Sequence, residues 1–172
     1  MFTLRVVFLF FFWSATILAG NIEPYPVPLE VSALSQSDGK LMGRLLIPSI
    51  AVNEIIRTGI DLSVIDKGVA YWVGSAKPGH LGNLVLAGHR TTKTAPFYEV
   101  AKLKQNDEII IISLDGTVSK YLVDDTFVVD PIEGVWIVDP PKVNGESILT
   151  IFTCHPMHSK KERYVVRARL VQ

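Results

Sequence analysis

The chain has one cysteine in 172 residues. A single thiol cannot close an internal disulfide, which excludes a disulfide framework. A surplus of either charge is also missing: lysine plus arginine number 17, and aspartate plus glutamate number 17. Binding to a phosphate backbone usually needs a basic surface, so this balance argues against nucleic acid as the main partner, a local basic patch apart. There is no internal repeat, and low complexity is confined to one short stretch near the N-terminus. Helical patterns are too few for an alternating series of strands and helices around a parallel sheet.

What is present begins with an apolar run. From Val6 to Ile22 no side chain is charged; Arg5 precedes the run and Glu23 follows it. A spanning helix takes ~20 apolar residues, and the core of a signal peptide ~7–15. The run falls between the two. Positive charge ahead of it orients the N-terminus to the cytoplasm and the rest of the chain outside. Ile17-Leu18-Ala19 is a poor match to a cleavage site. Residues 1–22 are therefore expected to be a retained transmembrane anchor, in preference to a cleaved leader. A buried core helix is disfavoured because Phe8 to Trp13 is apolar on every face. The protein is expected at the cell membrane, single-pass, with its main domain extracellular. Residues 23–39, EPYPVPLEVSALSQSDG, are rich in proline and serine and are expected to be a tether. The globular part is expected over residues 40–172.

That part is patterned mostly as strands. LMGRLLIP, VNEIIRTGI, NLVLA, EIIIIS, VSKYLVDDTFVVD, VWIVD, SILTIFTC and RYVVRARL are short apolar or alternating runs bounded by turn residues. Asp115-Gly116 predicts a hairpin turn. DLSVIDKG predicts one short helical turn with Asp61 as its cap, and TAPFYEVAKL a short helix with Pro96 in its first turn. In RYVVRARL, Tyr164, Val166, Ala168 and Leu170 share one face and Arg163, Arg167 and Arg169 the other, with Val165 breaking the alternation. About eight short strands predict an all-β barrel or sandwich.

The candidate chemistry centres on Cys154, where SILTIFTC runs out before His155-Pro156. In an exported domain a lone thiol is a reactive group, an intermolecular link, or an inert buried side chain. A free thiol, with pKa ~8.5, is mostly protonated at neutral pH and needs a nearby base or cation to act as a nucleophile. If SILTIFTC pairs with RYVVRARL, the loop HPMHSKKE returns Arg163 to the side of Cys154. A guanidinium there favours the thiolate and can hold a carbonyl oxygen or an oxyanion. His89 ends the apolar run NLVLAGH, so two strand ends on one rim can bring imidazole and thiol within reach of a shared proton. Taken singly, His89 and Arg163 also read as solvated strand ends; the conjunction carries the argument. Cys154, His155, Met157 and His158 include soft ligands, but adjacent residues on an extended chain diverge, and no metal site is expected.

These residues resemble the sortases, cysteine transpeptidases of Gram-positive surfaces. The family motif T-L-x-T-C is matched by Thr150, Ile151, Phe152, Thr153 and Cys154, with isoleucine in place of leucine. Its histidine, after a glycine, is matched by Gly88-His89, and its arginine on the following strand by Arg163. GNLVLAGHRTTKTAPF and TCHPMHSKKERYVV look most like class E. The resemblance covers roughly residues 40 to 172.

The resemblance implies an eight-stranded β-barrel with a few short helices. It implies catalytic residues His89, Cys154 and Arg163, with Thr153 and Arg163 at the substrate or oxyanion side. The implied partners are exported proteins bearing a C-terminal sorting signal of the LPxTG or LAxTG kind, and a peptidoglycan precursor or other amine as acceptor. No cofactor and no nucleic acid is implied. Some sortases need calcium; here Asp124, Asp125 and Asp139 are the only hints, and no metal requirement is expected. Asp124, Asp125 and Glu162 are the acidic residues weighed as partners of His89, none of them compelling by sequence. Tyr71, Trp72, Val128, Val129, Trp136 and Ile137 lie in segments that could flank the rim, or in the core. Two alternatives stand beside the sortase reading. One is a peptidoglycan-crosslinking L,D-transpeptidase, whose S-H-G-C-like loop TIFTC lacks. The other is a non-catalytic tethered barrel that binds peptide or metal.

Overall fold

Runs of aliphatic residues closed by glycine or proline become strands. The structure, a computed structural model, describes residues 39–142 and 145–171. Its strands are β1 (Leu41–Ile47), β2 (Val52–Thr58), β3 (Val69–Tyr71), β4 (Gly82–Ala87), β5 (Glu108–Ser113), β6 (Val118–Val129), β7 (Ser147–His155) and β8 (Glu162–Leu170). They close into one barrel in the order β1-β2-β3-β4-β7-β8-β6-β5, with β5 pairing back onto β1. The pairs β2–β3 and β4–β7 are parallel, and the others are antiparallel. The all-β barrel expectation holds, as does the turn at Asp115-Gly116: Gly116 takes φ 85° and the Asp115 carboxylate accepts the Thr117 N–H.

The two-residue period of a strand sorts side chains between interior and exterior. Leu45, Ile47, Ile56, Leu84, Leu86, Ile109, Ile111, Leu149, Ile151 and Val166 fill the barrel. Their neighbours Val85, Ala87, Phe152 and Val165 therefore face outward on β4, β7 and β8. Val85 and Val165 are nonetheless fully buried, because the connection between β6 and β7 lies across that side. This covered outer face explains why Val165 interrupts the alternation of β8.

Three expectations are corrected. VWIVD is no strand; Glu133–Val138 is a 3-10 segment. Asp130 nucleates it, since its carboxylate accepts the N–H groups of Ile132 and Glu133 and its carbonyl that of Gly134. The eighth strand is instead the three-residue β3, too short to stand out in the sequence. TAPFYEVAKL forms no α-helix, only the 3-10 turn Val100–Lys102. Lys93 and Ala95 take positive φ (55° and 43°), and the Phe97 N–H returns to the His89 carbonyl, so the segment bends back on the strand it left. Asp61 precedes α1 (Leu62–Ile65), the one α-helix among the described residues, but its side chain caps nothing; its backbone carbonyl accepts the Val64 and Ile65 N–H groups. Among the described residues no helix is long and apolar enough to cross a membrane. The anchor expected over 1–22 and nearly all of the tether lie outside them.

Candidate active site

Cys154 and Arg163 face each other across the β7–β8 ladder as a direct Cα pair, the return that the loop HPMHSKKE predicts. Both sit on the outer face, in phase with Phe152 and Val165. Cys154 is partly exposed. Arg163 Nη1 donates to the carbonyls of Lys160 and Glu162, each at 3.0 Å, so the loop itself holds the guanidinium.

His89 lies two residues beyond β4, and β4 runs parallel to β7 with Ala87 opposite Phe152. Extending that register sets Gly88 beside Thr153 and His89 beside Cys154. Side-chain bonds carry the register past the ladder. Thr153 Oγ1 donates to the Gly88 carbonyl (2.7 Å), and Arg90 Nη1 donates to His155 Nδ1 (2.7 Å). Imidazole, thiol and guanidinium thus come from the ends of three adjacent strands. Gly88 is required by space: a Cβ there would stand 2.8 Å from Phe97 Cε2 and 2.9 Å from Pro96 Cγ. The returning segment seats Phe97, fully buried, against the strand end that carries His89.

The acidic partner of His89 is Asp66, which follows α1. His89 Nε2 donates to Asp66 Oδ1 at 2.8 Å, and Lys93 Nζ stands 3.6 Å from Oδ2. The His89 hydrogen bond, with the nearby Lys93 cation, holds the Asp66 carboxyl below the usual carboxylate range. This bond assigns the ring proton to Nε2 and leaves Nδ1 for proton exchange. Sequence reasoning missed Asp66, 23 positions from His89 with no spacing rule to connect them. The three acids it weighed are engaged elsewhere. Asp124 pairs with Arg169 at 2.9 Å, Asp125 Oδ1 accepts the Thr126 N–H, and Glu162 stands 3.9 Å from His155.

The structure places Thr153 on the inner face, 2% exposed, with its hydroxyl engaged by Gly88. Its evident task is joining two strand ends. Trp72 packs edge-on against Phe152 (6.2 Å), two residues before the thiol on the same face. Trp136 stacks on Phe127 (5.6 Å) and Ile137 is buried, while Val128 is exposed and the Tyr71 hydroxyl is bonded to the Ser75 carbonyl. A cavity of about 650 Å³ lies at the other end of β7 and β8, lined by Phe127, Trp136, Ile148, Arg167 and Arg169 among others. None of His89, Cys154 and Arg163 lines it. Among the described residues no group of three or more His, Cys, Asp or Glu side chains converges as metal ligands do.

A closed eight-stranded barrel with thiol, imidazole and guanidinium on three neighbouring strand ends defines a class of thiol-bearing barrels built around one outer-face site. The chain belongs to the sortase family: the sortase domain model matches residues 45–171. It is similar to sortase SrtE2 of Streptomyces coelicolor, 27% identical over 93% of this chain and 65% of the relative. It is also similar to SrtE1 of the same organism, 32% identical over 78% of this chain and 41% of the relative. The chain thus spans under two thirds of the length of these relatives. Among solved structures, a mutant of sortase E from Streptomyces avermitilis superposes with a TM-score of 0.67 at 30% identity, covering 79% of this chain and 91% of that one.

Proposed function

We propose that this protein is a membrane-anchored cysteine transpeptidase that cleaves an LPxTG- or LAxTG-like sorting motif after threonine and joins the exported protein to a cell-wall amine. The observation that carries the reading is the direct Cys154–Arg163 pairing, with His89 one strand away at the same level. Family membership favours it over the L,D-transpeptidase and over a barrel that only binds.

In this reading Cys154 Sγ attacks the threonine carbonyl, and Arg163 stabilises the oxyanion that forms. The threonine–glycine C–N bond then breaks, and the glycine amine leaves with a proton from the His89 imidazolium. The product is a thioester on Cys154. An incoming amine attacks it, His89 as imidazole takes the amine proton, and the C–S bond breaks to release the thiolate. Asp66 orients the imidazole through both halves.

The test is mass spectrometry after incubation with LPxTG and LAxTG peptides. The expected result is an acyl adduct on Cys154 with at least one peptide and none on Cys154→Ala. Intact protein without adduct on either peptide, while the thiol remains open to alkylation, would reject this substrate class.

A further inference from the structure

Two cross-strand bonds flank the His89–Cys154 level, one residue before it and one after. Thr153 to Gly88 lies on one side and Arg90 to His155 on the other, both at 2.7 Å. Both are made by residues out of phase with Cys154, so His89 and Cys154 are left on the outer face. The second bond is built from unusual material. Arg90 is 6% exposed, and among the described residues no carboxylate meets it within hydrogen-bonding distance. Its guanidinium lies 5.4 Å from the Tyr164 ring centroid, and its buried Nε has no partner among the described residues. Burying a cation is costly unless it is paired and bonded, so its retention at this point calls for a purpose.

Resting on the transpeptidase reading above, we infer that Arg90 and His155 are positioning residues that, with the Thr153–Gly88 bond, set the distance between imidazole and thiol. β4 ends at Ala87, and no ladder bond ties its extension to β7 beyond that point. Without the outer bond, the Thr153–Gly88 bond alone ties this extension to β7, and the other bonds of His89, to Asp66 and Phe97, do not reach β7. A displacement of about 1 Å in a reacting group can cost about 10²-fold in rate.

His155 accepts the Arg90 N–H through Nδ1, so its ring proton sits on Nε2, which faces Glu162 across the ladder at 3.9 Å.

The test uses the full chain in detergent. Nitrogen NMR of the wild-type histidines is expected to show His155 with Nδ1 unprotonated and Nε2 protonated at neutral pH; a proton on Nδ1 would overturn the proposal without any variant. Arg90→Ala is expected to lower kcat on a sorting peptide about 10- to 100-fold with KM within twofold. His155→Asn keeps an acceptor for Arg90 and is expected to retain most of kcat. Arg90→Ala with kcat within twofold of wild type would also overturn the proposal. Alkylation of Cys154 by iodoacetamide separates the two readings. Slower alkylation in Arg90→Ala, with no peptide turned over by any form, would sink the substrate class and keep the positioning role. Equal alkylation rates beside normal acylation by the wild type and Arg90→Ala would do the reverse.

Discussion

The imidazole at this site is held by a neighbour that sequence inspection passes over, Asp66. Its carboxylate accepts a hydrogen bond from the Nε2–H of His89, and that bond, with Lys93 nearby, lowers its pKa. A carboxyl depressed on folding adds stability above its unfolded pKa, about 4, and loses it as pH falls through the folded value. Wild type is therefore expected to melt above Asp66→Asn at neutral pH, with the gap closing below about pH 4. Calorimetry across that range checks it. Activity is expected to fall about tenfold or more in Asp66→Asn, since an imidazole without its acceptor loses orientation and general acid–base transfer is worth about 10²–10⁴. Peptide-cleavage rates matching wild type would remove Asp66 from the site.

Among the elements, the strand ends matter most. β4 closes on Gly88 because Phe97 and Pro96 fold back over it with no room for a methyl group. Gly88→Ala is expected to cost about 1–3 kcal/mol through overpacking and to shift His89, lowering both stability and activity. Urea unfolding with a parallel rate measurement checks this; unchanged stability would mean that Phe97 moves aside freely. The strands at the site were legible beforehand. NLVLA, SILTIFTC and RYVVRARL carry plain strand patterns and occupy β4, β7 and β8. The failures lie where local pattern competes with long-range contacts. VWIVD has strand-like composition, yet Asp130 turns it into a 3-10 segment. The helical pattern of TAPFYEVAKL yields to the Phe97 contact with the His89 carbonyl.

At the scale of the whole molecule, a buried polar cluster ties the barrel to the connection that covers its outer face. Asn83 Nδ2 donates to the carbonyls of Ile137 and Asp139, both at 2.9 Å, and its Oδ1 accepts the Thr150 hydroxyl at 2.8 Å. Asn83 is 4% exposed and Thr150 is fully buried. Leaving such groups unpaired costs about 1–3 kcal/mol each. A fully buried Leu or Ile contributes about 1.5–3 kcal/mol, and many fill the interior, so the barrel outlasts the loss. Asn83→Ala is expected to lower stability by about 2–3 kcal/mol and to expose residues 139–142 to limited proteolysis while the barrel stays folded. Cleavage no faster than in wild type would show that the connection holds without Asn83.

The sequence by itself determined the all-β class, the two faces of β8, and the three residue types a thiol site needs, since two-residue periodicity and turn chemistry are local properties. It also paired Cys154 with Arg163, because a short loop between two plain strands permits little else. Only the tertiary structure decided that β4 lies parallel against β7 at the register that sets His89 beside Cys154. Only it brought Asp66, Gly88, Arg90 and His155 to their work. A parallel pairing joins segments some sixty residues apart, and the packing energy that selects its register is spread over the whole barrel, where no short stretch of sequence records it.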